Sequence, residues 1–152
     1  MIQIVPLLFP HNIRVDSREM NPRPVSEDRS QVGSEKLSGK VAIITGGDSG
    51  IGRAVAYAYA KEGADIAIAF LDEEQDAKET KKRIETLGTR CILLPGDLRI
   101  ESQCQRVVAN TMQAFGKIDI LVNNHAVQFP QQSILDITAQ QLENTFQSNL
   151  FS

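Results

Sequence analysis

Short, continuously apolar runs alternate with longer amphipathic segments from residue 40 to residue 152. Four apolar runs predict strands, at residues 41–45, 66–70, 91–94 and 118–122. Apolar positions at helical spacing predict three intervening helices, at residues 51–62, 73–87 and 101–115. In the first helix these positions are Ile51, Val55, Ala58 and Tyr59. The alternation indicates right-handed βαβ units, and therefore an α/β fold with a doubly wound parallel sheet covered on both faces.

Residue types at the ends of the helices agree with this assignment. Gly63, Gly88 and Gly116 directly follow the three predicted helices, and glycine is the commonest residue just past a helix end. A fourth helix is predicted from Thr138 to about Asn149, with the Thr138 hydroxyl as its N-terminal cap.

The first 35 residues follow no regular period. They hold four of the six prolines of the chain, together with mixed charges. We therefore predict an irregular arm over residues 1–35 and one folded domain over residues 36–152, a length that suffices for a core.

Composition and charge exclude several classes of function. The chain is 41% hydrophobic and 23% charged, as is usual for soluble globular proteins, and its net charge of −3 offers no basic surface to nucleic acid or acidic lipid. The two cysteines, Cys91 and Cys104, lack metal-binding spacing, so we predict no metal site and small core thiols in a reducing, cytoplasmic compartment. No apolar run approaches the roughly 18–20 residues of a membrane span. Residues 1–9 lack the basic and small-residue features of a secretory signal.

A glycine-rich loop directly follows the first predicted strand. The sequence Thr-Gly-Gly-Asp-Ser-Gly-Ile-Gly occupies residues 45–52, in the strand–turn–helix context that binds the diphosphate of a dinucleotide. In that interpretation Gly46 allows the tight turn, Gly50 lets backbone N–H groups approach the phosphates, and Gly52 lets the helix pack close to the strand. The alternative is an ordinary glycine-rich turn.

Other polar residues follow neighbouring strands. Asp97 comes after the third strand, and Asn123 and Asn124 come after the fourth. Because ligands of parallel sheets bind beyond the carboxyl ends of the strands, we expect these residues to lie near the glycine loop.

These motifs resemble the short-chain dehydrogenase/reductase family over about residues 36–152. The resemblance rests on the glycine loop, on Asp97-Leu98 and on Asn123-Asn124, in that order. The variant Gly-Gly-Asp-Ser-Gly-Ile-Gly and the stretch Met-Asn-Pro-Arg-Pro at residues 20–24 are similar to the glucose/ribitol dehydrogenase-like and general-stress oxidoreductases. The resemblance implies the N-terminal half of a Rossmann-type sheet, with about four strands in the order 3-2-1-4.

The resemblance also implies roles for individual residues. The backbone of the loop would hold the cofactor diphosphate, through Gly46, Asp48, Ser49, Gly50, Ile51 and Gly52. Asp97 would bond the adenine amino group and Leu98 would pack beside the ring, although Asp97 could instead cap a helix. Asn124 would contact the adenosine ribose and tie down the sheet. Asn149 matches the catalytic asparagine, which holds a backbone kink and a water, although it could be an ordinary surface residue.

Two departures from the family pattern stand out. His125 and Ala126 replace the usual Ala-Gly after the asparagine pair, so the imidazole either crowds the nicotinamide side or points away from it. In the family, a serine and a Tyr-x-x-x-Lys pair follow the fourth strand, whereas both tyrosines of these 152 residues, Tyr57 and Tyr59, precede it. Tyr57 and Lys61 imitate the spacing, but they lie on the first helix, where we expect Tyr57 to be a packing residue.

The sequence leaves the choice of nicotinamide cofactor open as NAD(P). Phe70 occupies the position of the acid that selects NAD, Leu71 is neutral, and Asp72 lies two residues further on. Asp48 would repel the 2′-phosphate of NADP. The subgroup resemblance favours NADP slightly.

The expected function is that of an NAD(P)-dependent oxidoreductase acting on a small carbonyl or alcohol, such as a sugar, polyol or aldehyde. This chain would carry the cofactor-binding half and would be inactive alone. The alternative is a non-catalytic dinucleotide-binding or dimerisation fragment. Since the fourth strand would be an uncovered edge and the last helix is similar to one that builds family dimers, we expect a homo-oligomer or association with full-length subunits.

Overall fold

The computed structural model describes residues 21–22 and 24–152, which form an α/β fold. Strands and helices alternate in this order: β1 (Val41–Thr45), α1 (Gly50–Lys61), β2 (Asp65–Phe70), α2 (Glu74–Thr86), β3 (Cys91–Pro95), α3 (Glu101–Phe115), β4 (Ile120–Val122) and α4 (Ala139–Asn149). A short 3₁₀ turn, Ile134–Asp136, precedes α4. Thr138 caps α4 in a capping box with Gln141, as its position predicted.

The four strands form one parallel sheet in the order β3-β2-β1-β4, which confirms the predicted order. Ile43 at the centre of β1 pairs with Ala67 on one side and with Leu121 on the other. β4 starts two residues later than predicted. Asp119, just before it, is joined to β1 twice, since its backbone N–H donates to the Val41 carbonyl and its side chain accepts from the Val41 N–H, both at 2.9 Å.

Helices cover both faces of the sheet. On one face, Ile44, Ile66 and Ile68 pack against α1 and α2; on the other, Ile43 and Ala67 pack in the cluster that contains Val107 of α3. The predicted apolar face of α1 is correct in part. Val55 and Tyr59 are half-buried and pack against the core, whereas Ile51 is 76% exposed and Ala58 is exposed. The fully buried apolar residues of the helix are Ala56, Tyr57 and Ala60. Small Ala56 and Ala60 thus pack against the large isoleucines of the sheet, together with Tyr57.

The two cysteines are free thiols in different environments. Cys91 is buried in β3, and burial raises the pKa of its thiol to about 12. Cys104 is only half-buried on α3, so the expectation of two core thiols holds for Cys91 alone. The described residues contain no cluster of three or more potential metal ligands. Among the described helices, none combines the length and apolar character needed to cross a membrane.

β4, α3 and α4 each carry exposed apolar side chains. Leu121 of β4 is 59% exposed, and Val108, Met112 and Phe146 are between 43% and 49% exposed. β4 pairs with β1 alone, so its other edge is free of strand partners in the part of the chain that the structure describes. Such surfaces commonly bind another protein surface.

The arm is largely outside the described residues, which exclude positions 1–20 and Arg23 and therefore part of the Met-Asn-Pro-Arg-Pro stretch. Where it is described, Glu27 anchors it to the domain. The Glu27 carboxylate pairs with Lys61 of α1 at 3.0 Å and with Arg83 of α2 at 2.7 Å, and its side chain is only 8% exposed. The hydrogen bonds from Arg83, followed by those from Lys61, lower the pKa of Glu27 to about 2 from 4.5.

Replacing Glu27 with Gln is expected to lower the free energy of unfolding by about 1–3 kcal/mol at pH 7. The folded-state pKa lies below the ordinary value, so the stabilisation is complete above about pH 4.5 and is lost as the pH falls towards 2. Urea unfolding at pH 7 and pH 3 measures the free energy of unfolding of Glu27→Gln and of wild type. The difference between the two proteins should be smaller at pH 3 than at pH 7.

The matched control is Glu85→Gln, which removes an exposed carboxylate 3.5 Å from Lys81. Exposed pairs contribute little, so the expected loss is below about 0.5 kcal/mol. Two results would contradict this account of the arm. One is an equal loss of unfolding free energy in the two variants, and the other is a loss in Glu27→Gln that does not change with pH.

Candidate functional site

A cleft of about 1180 Å³ lies at the carboxyl ends of the strands, and we call it the strand-end cleft. Of the residues predicted for the site, those that line it are Gly46, Asp48, Ser49, Asp97, Leu98 and Asn124. Gly50, Ile51 and Gly52 form the first turn of α1 beside it. Asn149 does not line the cleft, although its neighbour Ser148 does.

The glycine loop connects the end of β1 to the start of α1. The Gly46 N–H donates to the Ala69 carbonyl of β2 at 2.7 Å, and Gly46 and Gly50 have positive φ angles of 63° and 52°. These angles fall in the left-handed region, where a side chain is costly. Ser49 is the N-cap residue, and the first turn of α1 carries no acidic residue. The positive end of this helix is therefore open to an anion.

Gly52 shows most directly why this loop needs glycine. A Cβ atom there would lie 2.0 Å from the Gly46 carbonyl oxygen and 2.6 Å from Nδ2 of Asn124. The loop, the helix start and the end of β4 thus meet with no room for a methyl group. This close backbone packing fits the diphosphate of a dinucleotide.

Asn124 joins the ends of β1 and β4. Its side-chain Nδ2 donates to the carbonyls of Thr45 and Gly46 at 3.1 and 3.2 Å, and its backbone N–H donates to the Thr45 hydroxyl at 3.0 Å. These bonds hold the floor of the cleft in place. They correspond to the expected role of Asn124 in tying down the sheet.

Asp97 forms an ion pair with Arg99 across one intervening residue. The guanidinium approaches the carboxylate at 2.6 Å, and its hydrogen bonds lower the pKa of Asp97. Asp97 is therefore a carboxylate, an acceptor suited to an amino group. The alternative of a helix cap is wrong for α3, whose N-cap residue is Ile100 with no capping side chain.

Asn149 is the last residue of α4, and its side chain forms hydrogen bonds with the backbone after β4. Its Oδ1 accepts from the Val127 N–H at 2.8 Å, and its Nδ2 donates to the Val127 carbonyl at 3.0 Å. Both ends of the amide are thus used on one residue, which anchors α4 to the rim of the cleft.

The His125 ring is held between two hydroxyl groups. Nδ1 lies 2.8 Å from the Thr45 hydroxyl and Nε2 lies 2.8 Å from the Ser152 hydroxyl. The ring therefore links the end of β1 to the chain just after α4, and His125 also contributes to the lining of the cleft.

Tyr57 is a packing residue of the core, as expected. It is 6% exposed in the core, and burial raises its pKa. Lys61, its partner in the imitation motif, binds Glu27 of the arm instead.

Sequence reasoning missed a buried polar cluster of Arg53, Asp76 and Thr80, which contacts the glycine loop. The available signals were an arginine on the Ala-rich helix α1, and an Asp and Thr at i and i+4 on α2. That spacing places both residues on the same face of a helix.

A parallel sheet with a glycine loop at its carboxyl edge defines a dinucleotide-binding α/β domain. The family model described as short chain dehydrogenase matches residues 40–152, and the chain belongs to this family.

Relatives agree with this assignment. The chain is 62% identical over 134 residues to "Uncharacterized oxidoreductase YhdF" of Bacillus subtilis, covering 88% of this chain and 46% of that protein. It is 44% identical to "NADPH-dependent aldehyde reductase 1, chloroplastic" of Arabidopsis thaliana, covering 88% and 48%. A short chain dehydrogenase from Burkholderia cenocepacia, solved in complex with NADP, is 36% identical with a TM-score of 0.72, covering 76% and 47%. The chain spans about half the length of the curated relatives it matches.

Proposed function

We propose that this chain is the cofactor-binding part of an NAD(P)-dependent oxidoreductase that acts on a small carbonyl or alcohol. The observation that carries the proposal is the close contact of Gly52 with Gly46 and Asn124, which leaves no room for a methyl group. This contact lies at the N-terminus of α1, whose first turn carries no acidic residue. Relatives named as an aldehyde reductase of Arabidopsis and as a glucose and ribitol dehydrogenase homolog of rice support an aldehyde, sugar or polyol as substrate.

Each cleft residue has a proposed part in holding the cofactor. The backbone of residues 46–52 would receive the diphosphate, Asp97 the adenine amino group, and Leu98 the face of the adenine ring. Asn124 would contact the adenosine ribose. Asn149 is a positioning residue in this proposal, because its side chain is engaged with the Val127 backbone. The bound nicotinamide would supply hydride transfer.

NADP is favoured slightly over NAD. The support comes from the NADP complex of the Burkholderia structure and the NADPH dependence in the name of the Arabidopsis relative. The free thiols of Cys91 and Cys104 support a reducing compartment, and we propose the cytoplasm.

A non-catalytic binding or dimerisation fragment is the second candidate. It is favoured by the exposed apolar side chains of β4, α3 and α4, which would fit a second copy or a full-length subunit. It is also favoured by the position of both tyrosines, Tyr57 and Tyr59, on α1.

Fluorescence titration with NADPH and NADH tests the proposal on the purified chain. We expect saturable binding of NADPH, weaker binding of NADH, and no oxidation of NADPH by small aldehydes at rates above background. Turnover by this chain would rule out the second candidate, a non-catalytic fragment. The absence of saturation by either cofactor at millimolar concentration would contradict the proposed function.

A further inference from the structure

A buried polar cluster connects the glycine loop to α2. Arg53, Asp76 and Thr80 are between 0% and 7% exposed, and Asp48 of the loop is 5% exposed. Asp48 and Asp76 also line the strand-end cleft, whereas Arg53 and Thr80 do not. Two side chains outside the cleft therefore contact the loop that forms its floor.

Both of these side chains donate to one atom, the carbonyl oxygen of Asp48. The Arg53 Nε donates to it at 2.9 Å, and the Thr80 hydroxyl donates to it at 2.9 Å. The guanidinium is itself held by Asp76, whose Oδ1 accepts from Arg53 Nη2 at 3.0 Å. A carbonyl oxygen has two lone pairs, and here each has a buried donor.

These two bonds fix the orientation of a peptide plane. In a trans peptide the carbonyl of one residue and the N–H of the next point in opposite directions. Because the Asp48 carbonyl points to buried donors, the Ser49 N–H points the other way, and Ser49 lines the cleft. Rotation of this peptide would turn the N–H from the cleft and present a carbonyl oxygen to an anion.

We propose that Arg53 and Thr80 are positioning residues for the cofactor diphosphate, acting through the Asp48 carbonyl to aim the Ser49 N–H. The proposal rests on the proposed function, because it requires a diphosphate in the cleft. A purely structural role would instead make the cluster a link between α1 and α2 with no selective effect on ligands.

Thr80 allows a near-isosteric test. Thr80→Val removes the hydroxyl donor with little change of shape, and Thr80→Ser retains the donor. Binding of ADP-ribose and of adenosine is measured for both variants by NMR titration. Only ADP-ribose carries the diphosphate, whereas adenosine retains the groups proposed for Asp97 and Asn124.

We expect Thr80→Val to weaken ADP-ribose binding by about 3- to 10-fold, the effect of one hydrogen bond, and to leave adenosine binding unchanged. Thr80→Ser should bind both ligands as wild type does. Unchanged ADP-ribose binding, or equal weakening for the two ligands, would overturn the proposal. A wild-type chain that binds neither ligand would contradict the proposed function itself.

Should Thr80→Val fail to fold, Arg53→Lys gives the same test. Lysine retains the positive charge beside Asp76 but lacks the Nε–H that reaches the Asp48 carbonyl. Selective loss of ADP-ribose affinity is again the expected result, and a loss that is equal for adenosine would overturn the proposal.

Discussion

We expect Gly52→Ala to weaken NADPH binding so far that a fluorescence titration no longer detects it. The new methyl group would meet the Gly46 carbonyl at 2.0 Å and Asn124 Nδ2 at 2.6 Å, so the loop and the start of α1 must separate. In the proposed function the loop N–H groups bond the diphosphate, and each charge-assisted bond lost, at roughly 1.5 kcal/mol, lowers affinity by about 10-fold. Overpacking should also lower the free energy of unfolding by about 3 kcal/mol. Fluorescence titration and urea unfolding measure the two effects.

Gly88→Ala is the matched control for this substitution. Gly88 has a φ of 92° and a Cβ there would meet nothing within 4 Å, so alanine brings backbone strain of about 1–2 kcal/mol and no clash. It lies after α2 and outside the residues that line the cleft. NADPH affinity should therefore be unchanged in Gly88→Ala, and a Gly52→Ala protein with wild-type affinity would refute the assignment of the loop.

The strands and their order could be predicted from the sequence because they depend on short-range signals. The central residues of β1 and β2, at 42–44 and 66–69, are all apolar, and a glycine comes shortly after each of the first three helices. The loop at 45–52 is also local, since its conformation follows from glycines at positive φ. Residues close in sequence were sufficient for these elements.

Features that depend on partners distant in sequence were not predictable. Arg53 is bound to Asp76, and Glu27 to Lys61 and Arg83, pairs that come together only after the helices pack. The buried face of α1 was assigned correctly for Val55 and Tyr59 but wrongly for Ile51 and Ala58. Large residues normally mark the core side of a helix, but here Ala56 and Ala60 pack in the core, and Ile51 lies in solvent.

The site therefore has two layers of different origin. In the proposed function the inner layer, the backbone of the glycine loop with Asn124, contacts the cofactor, and its conformation depends on glycines at positive φ and at the close contact of Gly52. The outer layer holds that geometry fixed through Arg53 and Thr80 on one side and His125 on the other. Under the two proposals above, substitution of Arg53 or Thr80 would change cofactor affinity although neither residue lines the cleft.

Replacing Arg53 with Met is the second substitution with a large expected effect. The guanidinium is 8% exposed and neutralises the buried Asp76 carboxylate, so its removal should lower the free energy of unfolding by about 3–5 kcal/mol. Urea unfolding at pH 7 measures this loss.

The double variant Arg53→Met/Asp76→Leu separates charge burial from loop positioning. Exchange of a buried ion pair for apolar residues is often neutral, so the double variant should regain most of the lost stability. The Asp48 carbonyl would still lack its Arg53 donor, so NADPH affinity should remain below that of wild type. If the double variant bound NADPH as tightly as wild type, the ion pair would matter for folding alone, and the proposed positioning role of Arg53 would be wrong.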